Sequence, residues 1–267
     1  MNSIKKMMLS GALGCLISGM AYADGSSPQP VKPYWQDIQV VAVNKEKPRS
    51  SFMSYADRET ALTSRFEKSP YYSLLNGTWK FFFVDSYKDL PQNITDPSVN
   101  TSSWDDITVP GNWEVQGHGV AIYTNHGYEF KPRNPQPPLL PEANPVGVYR
   151  RDIEIPASWD NRDIYLHIGG AKSGLYVYLN GKEVGYSEDS KNPAEFLINK
   201  YLQPGKNVLT LKIFRWSTGS YLECQDFWRM SGIERDVFLW SQPKANIQDF
   251  RVVSTLDDTY TNGIFKL

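Results

Sequence analysis

Glu223 and Asp226 lie close together in residues 215–239, RWSTGSYLECQDFWRMSGIERDVFL, a stretch that also holds Arg215, Arg229, Arg235, Trp216, Tyr221, Phe227 and Trp228. Two carboxyl groups in an aromatic setting are raw material for acid–base chemistry, since burial can keep one protonated while the other stays ionised. The same residues are costly to bury unless every charge is paired or hydrogen-bonded. With three arginines in the stretch, Glu223 and Asp226 read as structural, hydrogen-bonded or paired to Arg215, Arg229 or Arg235. Cys224, between them, offers a thiol but reads as a small buried filler in an aromatic cluster. His118, His126 and His167 are scattered, and no Cys/His set has the spacing of a zinc site. No strand–turn–helix serine motif or phosphate-binding glycine loop occurs. These residues do not by themselves make a complete catalytic centre.

Strands must position whatever site exists. GTWKFFFVDS at 77–86 is rich in strand formers. Ile164, Leu166 and Ile168 alternate with Tyr165 and His167. Leu175, Val177 and Leu179 alternate with Tyr176 and Tyr178. Asn180-Gly181 then predicts a type I′ turn, with KEVGYS as the returning strand. Leu209, Leu211 and Ile213 predict another strand, and Val237 with Leu239 a shorter one. Short strands separated by turn signals predict an all-β sandwich or jelly roll. Residues 34–54 read as an extended arm that wraps the domain. One short helix is expected within 57–75, from Glu59, Ala61, Leu62 and Arg65, followed by an irregular entry to Gly77. Residues 129–146 carry six prolines, at 132, 135, 137, 138, 141 and 145, so a stiff surface excursion is expected there. It would shape a neighbouring site, dock a partner domain or cover a sheet edge. Residues 245–254 and 263–267 look like the first two strands of a further β unit, which two strands could not stabilise alone.

Composition is that of a soluble globular protein, with 40% apolar and 21% charged residues. The formal charge of -1 gives no case for nucleic acid or an anionic membrane surface. Aromatics reach 13%, which suits strand cores and also permits stacking on sugar rings. Lys5 and Lys6, the apolar run 7–20 and Ala21-Tyr22-Ala23 read as a secretory signal cleaved after Ala23, so export to the periplasm or medium is expected. Acylation of Cys15 as a lipoprotein is the alternative. The expected divisions are a signal peptide at 1–23, a flexible leader and arm at 24–54, a jelly-roll domain at 55–243 and the start of a second sandwich at 244–267.

The 215–239 stretch closely resembles one in the family 2 glycoside hydrolases, particularly the bacterial β-galactosidases. Two further stretches join it: VPGNWEVQGHGVAIYTNHGYEF at 109–130 and GYSEDSKNPAEFLI at 185–198. The resemblance spans 34–267. It implies a jelly-roll sugar-binding domain, then an immunoglobulin-like sandwich, then a catalytic (β/α)8 barrel, so that this chain would stop inside the second sandwich. The implied function is the N-terminal portion of a β-galactosidase, which hydrolyses terminal non-reducing β-D-galactose residues. No catalytic residue would belong to this chain. Alternatives are a standalone carbohydrate-binding module, or a β-glucuronidase or β-mannosidase. SEDSKNPAEF favours the β-galactosidases.

The match of IYTN places Asn125 at the family's galactose-binding asparagine. The match of EDSKNPAEF places Asp189 at an aspartate that contacts galactose hydroxyls and helps to bind sodium. An amide reads a hydroxyl in either sense, and a carboxylate accepts from hydroxyls and ligates hard cations. Simple turns at Asn125-His126-Gly127 and Asp189-Ser190 remain open as the plainer reading. His126 departs from the family, which often has an apolar residue there. The other sodium ligands, and magnesium, belong to the barrel. The implied partners are a β-galactoside or galactose-containing glycan, the barrel itself and a second copy in a homo-oligomer.

Overall fold

The computed structural model describes residues 32–130 and 134–267. The expected signal peptide, Cys15, most of the leader and Pro132 lie outside the described residues. Among those described, no helix is long and apolar enough to cross a membrane.

Alternation builds the core. Along Arg162–Ile168, Ile164, Leu166 and Ile168 turn inward, while Tyr165 turns to the opposite face. Along Gly174–Leu179, Leu175, Val177 and Leu179 face one core and Tyr176 the other. Two main antiparallel sheets result among the described residues. The large one has seven strands, in the order Ala42–Val43, Lys182–Ser187, Gly174–Leu179, Lys206–Phe214, Val146–Glu154, Gly77–Val84 and Asp105–Val109. The small one has four, Ala194–Leu197, Arg162–Ile168, Val237–Pro243 and Tyr72–Leu74. Phe81, Tyr149 and Leu211 from the large sheet meet Leu166, Phe196 and Leu239 from the small one. Each such buried side chain contributes roughly 1.5–3 kcal/mol of transfer free energy. This is an all-β sandwich, as the strand pattern predicts. Asn180 (φ 54°) and Gly181 (φ 77°) form the expected left-handed turn between Gly174–Leu179 and Lys182–Ser187.

The arm serves the outer faces of both sheets. Trp35 is fully buried, stacked on Phe214 at 5.0 Å and edge-on to Tyr87 at 5.1 Å. Ala42–Val43 then pairs with Ser187 and Tyr186 at one edge of the large sheet. Beyond it, the Glu46 N–H donates to the Glu195 carbonyl at 2.8 Å, and Met53 packs with Tyr165, Phe238 and Trp240 on the outer face of the small sheet.

Three parts differ from the sequence reading. Val146–Glu154 lies in the middle of the large sheet, yet Arg150 and Arg151 hide its strand character. Arg150 is buried because its guanidinium donates to the carbonyls of Ile94, Asp96 and Val99, which fixes that loop. Arg151 donates to the carbonyls of Leu75 and Asn76. Secondly, Tyr72–Leu74 is a strand paired with Val237–Pro243, where an irregular entry was expected. The helix before it covers only Arg58–Leu62, with Asp57 accepting from the Thr60 N–H at 2.7 Å. Thirdly, the strands expected at 245–254 and 263–267 shorten to a hairpin, Val253–Leu256 with Gly263–Lys266, that forms its own sheet. The segment before it is tied to the arm, where the Ser50 N–H donates to Asp249 at 2.9 Å and the Ser50 hydroxyl to the Phe250 carbonyl at 2.7 Å.

Candidate functional site

Asn125 follows the strand Ile122–Thr124, which pairs with Phe227–Arg229 in a ribbon apart from the two main sheets. Tyr123 and Trp228 stand opposite each other, both more than half exposed, with ring centroids 5.7 Å apart. The Tyr123 hydroxyl donates to Asp226 at 2.8 Å. Asn125 is exposed, with its Oδ1 2.6 Å from His126 Nδ1. The Thr124 hydroxyl donates to the His126 carbonyl at 2.6 Å and closes the turn.

Asp189 follows the strand Lys182–Ser187. Its neighbours Glu188 and Ser190 are buried, while Asp189 itself is exposed. Glu188 accepts from the Tyr186 hydroxyl at 2.7 Å, the Thr218 hydroxyl at 2.8 Å and the Gly219 N–H at 2.6 Å, which anchors the loop from below. Burial pushes the Glu188 carboxyl above the ordinary range despite these bonds. Asp189 accepts from the side-chain amide of Asn192 at 3.1 Å and faces Lys45 Nζ at 3.8 Å.

A chain of hydrogen bonds links the two loops. Glu223 accepts from the Ser190 N–H at 2.9 Å and the Ser190 hydroxyl at 2.6 Å. Arg229 donates to the Glu223 carbonyl at 3.4 Å and to the Thr124 carbonyl at 3.5 Å. Its Nε lies 3.7 Å from Glu129, whose other oxygen accepts from the Trp216 indole at 3.0 Å. The relay therefore runs from the residue after Asp189 to the residue before Asn125. The arginines do not pair with the carboxylates proposed for them. Arg215 lies 3.7 Å from Glu114, Arg229 faces Glu129, and Arg235 donates to the carbonyls of Gly169 and Lys191. Glu223 instead holds Ser190, and Asp226 holds Tyr123.

The proline-rich stretch also does more than cover a surface. Asn144 is fully buried and holds Trp216 through both backbone groups, at 2.8 and 3.0 Å. Sequence reasoning missed Glu129, Ser190 and Arg229 as positioning residues. Their only signal was that the three family-like stretches each contribute one.

Cys224 is half-buried, and its thiol donates to the Ser220 carbonyl at 3.2 Å. Burial pushes its pKa up. Thiolate is the reactive form, so an aromatic disulfide reagent at neutral pH should modify Cys224 more slowly than free cysteine. Labelling as fast as free cysteine would refute that.

A cavity of about 370 Å³ opens between the arm and the outer face of the small sheet. Asp189 lines it; Asn125 does not. Its floor carries Glu195, which accepts from Arg49 Nε and Nη2 at 3.2 Å and from the Trp240 indole at 3.1 Å, with His167 Nδ1 at 2.8 Å. Burial alone would raise the Glu195 carboxyl. The His167 hydrogen bond and the Arg49 charge more than offset it and hold the group below its usual range. A lowered folded pKa adds stability that is present above the unfolded value and lost as pH falls through the folded one. The arm should therefore stay anchored at neutral pH and loosen below about pH 4. Hydrogen exchange of residues 44–53 across this range measures it, and unchanged protection at pH 3 to 4 would contradict it.

Among the described residues, no group of three His, Cys, Asp or Glu side chains could hold a metal ion. Asp189 is also already opposed by the Lys45 ammonium.

The family model described as glycosyl hydrolases family 2, sugar binding domain, matches residues 72–243. A β-galactosidase of Priestia megaterium is 41% identical over 234 residues, covering 86% of this chain and 23% of its own length. One from Actinobacillus pleuropneumoniae is 39% identical over 234 residues, covering 88% of this chain and 22% of its own. The chain thus spans less than a quarter of these curated relatives. Among solved structures, a β-glucuronidase from an uncultured Clostridium species aligns with a TM-score of 0.51 at 24% identity, over 70% of this chain and 31% of that one. That likeness concerns the fold alone. The match over residues 72–243, on a sandwich of this topology, makes the chain a member of the glycosyl hydrolases family 2 that carries the family's sugar-binding domain.

Proposed function

We propose that this chain is the sugar-contacting front part of an exported β-galactosidase, and that Asn125 and Asp189 bind galactose hydroxyls in an active site completed by a downstream barrel. The carrying observation is the Ser190–Glu223–Arg229–Thr124 relay, which fixes the Asp189 loop and the Asn125 turn to one scaffold. The relatives' names supply the galactoside. Asn125 presents an amide, and Asp189 presents a half-exposed carboxylate. Such groups orient one epimer, because a site built to bond a hydroxyl rejects a sugar that misplaces it. Hydrolysis itself needs two carboxyl groups flanking the glycosidic bond. Glu223 and Asp226 are committed to Ser190 and Tyr123, and the proposal assigns this role to the downstream barrel. Sodium would require oxygen donors from the barrel beside Asp189, and magnesium would be held by the barrel.

The test is aryl β-galactoside hydrolysis by the chain alone and by the chain fused to a family 2 barrel. The chain alone should be inactive. In the fusion, Asn125→Ala and Asp189→Asn should each lower kcat/KM by roughly tenfold or more, the loss expected when a substrate hydroxyl is left unpaired. Turnover by the chain alone that a substitution within it abolishes would overturn the proposal.

A further inference from the structure

The ribbon that carries Asn125 needs something to set its register. Its strands, Ile122–Thr124 and Phe227–Arg229, have three residues each and are distant in sequence, so no hairpin turn aligns them. An isolated pair this short is marginal at best. A slip of one residue would also turn every side chain to the other face. In the observed register Tyr123 and Trp228 are exposed and Arg229 is buried. Asn125, two residues after Tyr123, takes its direction from that setting.

Arg215 stands at the base of the ribbon. It follows the strand Lys206–Phe214 of the large sheet, and its own N–H donates to the Pro145 carbonyl at 2.9 Å. Its Nη2 donates to the Val120 carbonyl at 2.9 Å and to the Arg229 carbonyl at 3.2 Å. Val120 leads into the first strand, and Arg229 ends the second. The two N–H bonds of one guanidinium nitrogen thus hold a carbonyl from each side of the ribbon. Gly119, just before Val120, makes the approach possible. Its φ is 70°, which L side chains rarely adopt, and a Cβ there would press on Phe83 Cζ at 3.3 Å.

Glu114 closes the arrangement. Its Oε2 accepts from the Ser231 N–H at 2.9 Å, and the Trp113 N–H donates to the Ser231 carbonyl at 3.2 Å, so the exit of the second strand is gripped at both backbone groups. Glu114 Oε1 stands 3.7 Å from Arg215 Nη1, beyond hydrogen-bond reach, with the Glu114 side chain 0% exposed and that of Arg215 5%. An ion pair placed for stability alone would close to about 2.8 Å. Here the short contacts of the guanidinium go to the ribbon carbonyls instead. Burial lowers the Arg215 pKa and raises that of Glu114, so both charges are held at a cost. A buried pair is often no more stable than an apolar replacement, and its best attested use is to fix register.

We propose that Arg215 is a positioning residue: by clamping Val120 and Arg229 across the base of the ribbon, with Glu114 as its counter-charge, it sets the register that aims the Asn125 amide. The Ser190–Glu223–Arg229–Thr124 relay joins the ribbon to the Asp189 loop, whereas the clamp acts within the ribbon, strand against strand. The part Arg215 plays in hydrolysis rests on the galactose contact proposed for Asn125; the clamp itself does not.

The experiment compares the full chain with Arg215→Lys and Gly119→Ala, following the NOEs between the Tyr123 and Trp228 rings and the Asn125 amide by NMR. Lysine keeps a charge beside Glu114 but lacks the planar fork and ends short of the two carbonyls. Alanine keeps the charge pair and displaces Val120, because its Cβ does not suit the left-handed backbone. Both variants should fold, with thermal midpoints near that of the parent, and both should lose the cross-strand NOEs and shift the Asn125 amide. Should Arg215→Lys fail to fold, Gly119→Ala carries the test. In the barrel fusion, Arg215→Lys should lower kcat/KM by roughly tenfold, as Asn125→Ala does. The double variant should lose little more than either single one, because the two residues act as a unit. Parent-like NOEs and an unmoved Asn125 amide in whichever variants fold overturn the proposal. Losses that multiply in the double variant also overturn it, since a merely structural role for Arg215 would give them. If Asn125→Ala spares hydrolysis, the proposed function fails, and the NOEs alone decide the clamp.

Discussion

Replacing Arg229 with Met is expected to cost about 3–5 kcal/mol, the loss typical when one partner of a buried ion pair is removed. Arg229 is 1% exposed, and Glu129, opposite it, is 5% exposed by side chain. Methionine fills the volume but leaves the Glu129 carboxylate buried with, among the described residues, the Trp216 indole as its donor. The Glu223 and Thr124 carbonyls lose their donor as well. Urea unfolding reads the stability loss. Amide shifts at Ser190 and Asn125 should move together, since both ends of the relay come loose. Removing the orphaned charge in the double variant Arg229→Met/Glu129→Gln should recover part of the stability. A single variant as stable as the parent, with both loops unmoved, would show that the relay does not position them.

Glu195→Ala should cost about 3 kcal/mol by the same reasoning and release the arm. The carboxylate gathers Arg49, His167 and Trp240, each from a different segment. Without it, the Arg49 guanidinium keeps its contact with the Ser50 carbonyl and its place over the Trp240 and Phe52 rings. Trypsin should then cleave after Lys45 or Arg49 much faster than in the parent, because local opening governs cleavage. Trp35, on the other sheet, should stay buried, so the change in protection should stop before residue 42. Equal cleavage rates in the parent and the variant would mean that the arm is held elsewhere.

Much of the sandwich was legible in the sequence because its strands alternate openly. The Ile164–Leu166–Ile168 and Leu175–Val177–Leu179 sets, with the Asn180-Gly181 turn, carry the period of a half-buried strand. Val146–Glu154 was not legible, because a central strand bearing two arginines looks polar until the loop carbonyls that Arg150 satisfies are in place. That satisfaction is long-range and leaves no local mark. Tyr72–Leu74 is short, and its pairing partner lies more than 160 positions along the chain. The site divides in the same way. Types and motifs pointed to Asn125 and Asp189. The links between them, through Ser190, Glu223, Arg229 and Glu129, depend on which charges meet after folding. Arg215 and Arg229 gave no sign that their acids would come from residues 114 and 129.

The short Ala42–Val43 strand has a meaning for colloidal behaviour. A sheet rim with free N–H and C=O groups is a template onto which another polypeptide can crystallise. Here one rim of the large sheet is already occupied by the chain's own arm. The opposite rim, Asp105–Val109, begins with two exposed acids, of which Asp106 pairs with Lys80 at 2.8 Å, and charged side chains on a rim disfavour pairing with another chain. The large sheet thus carries a guard against fibril growth on each of its rims, one steric and one made of charged side chains.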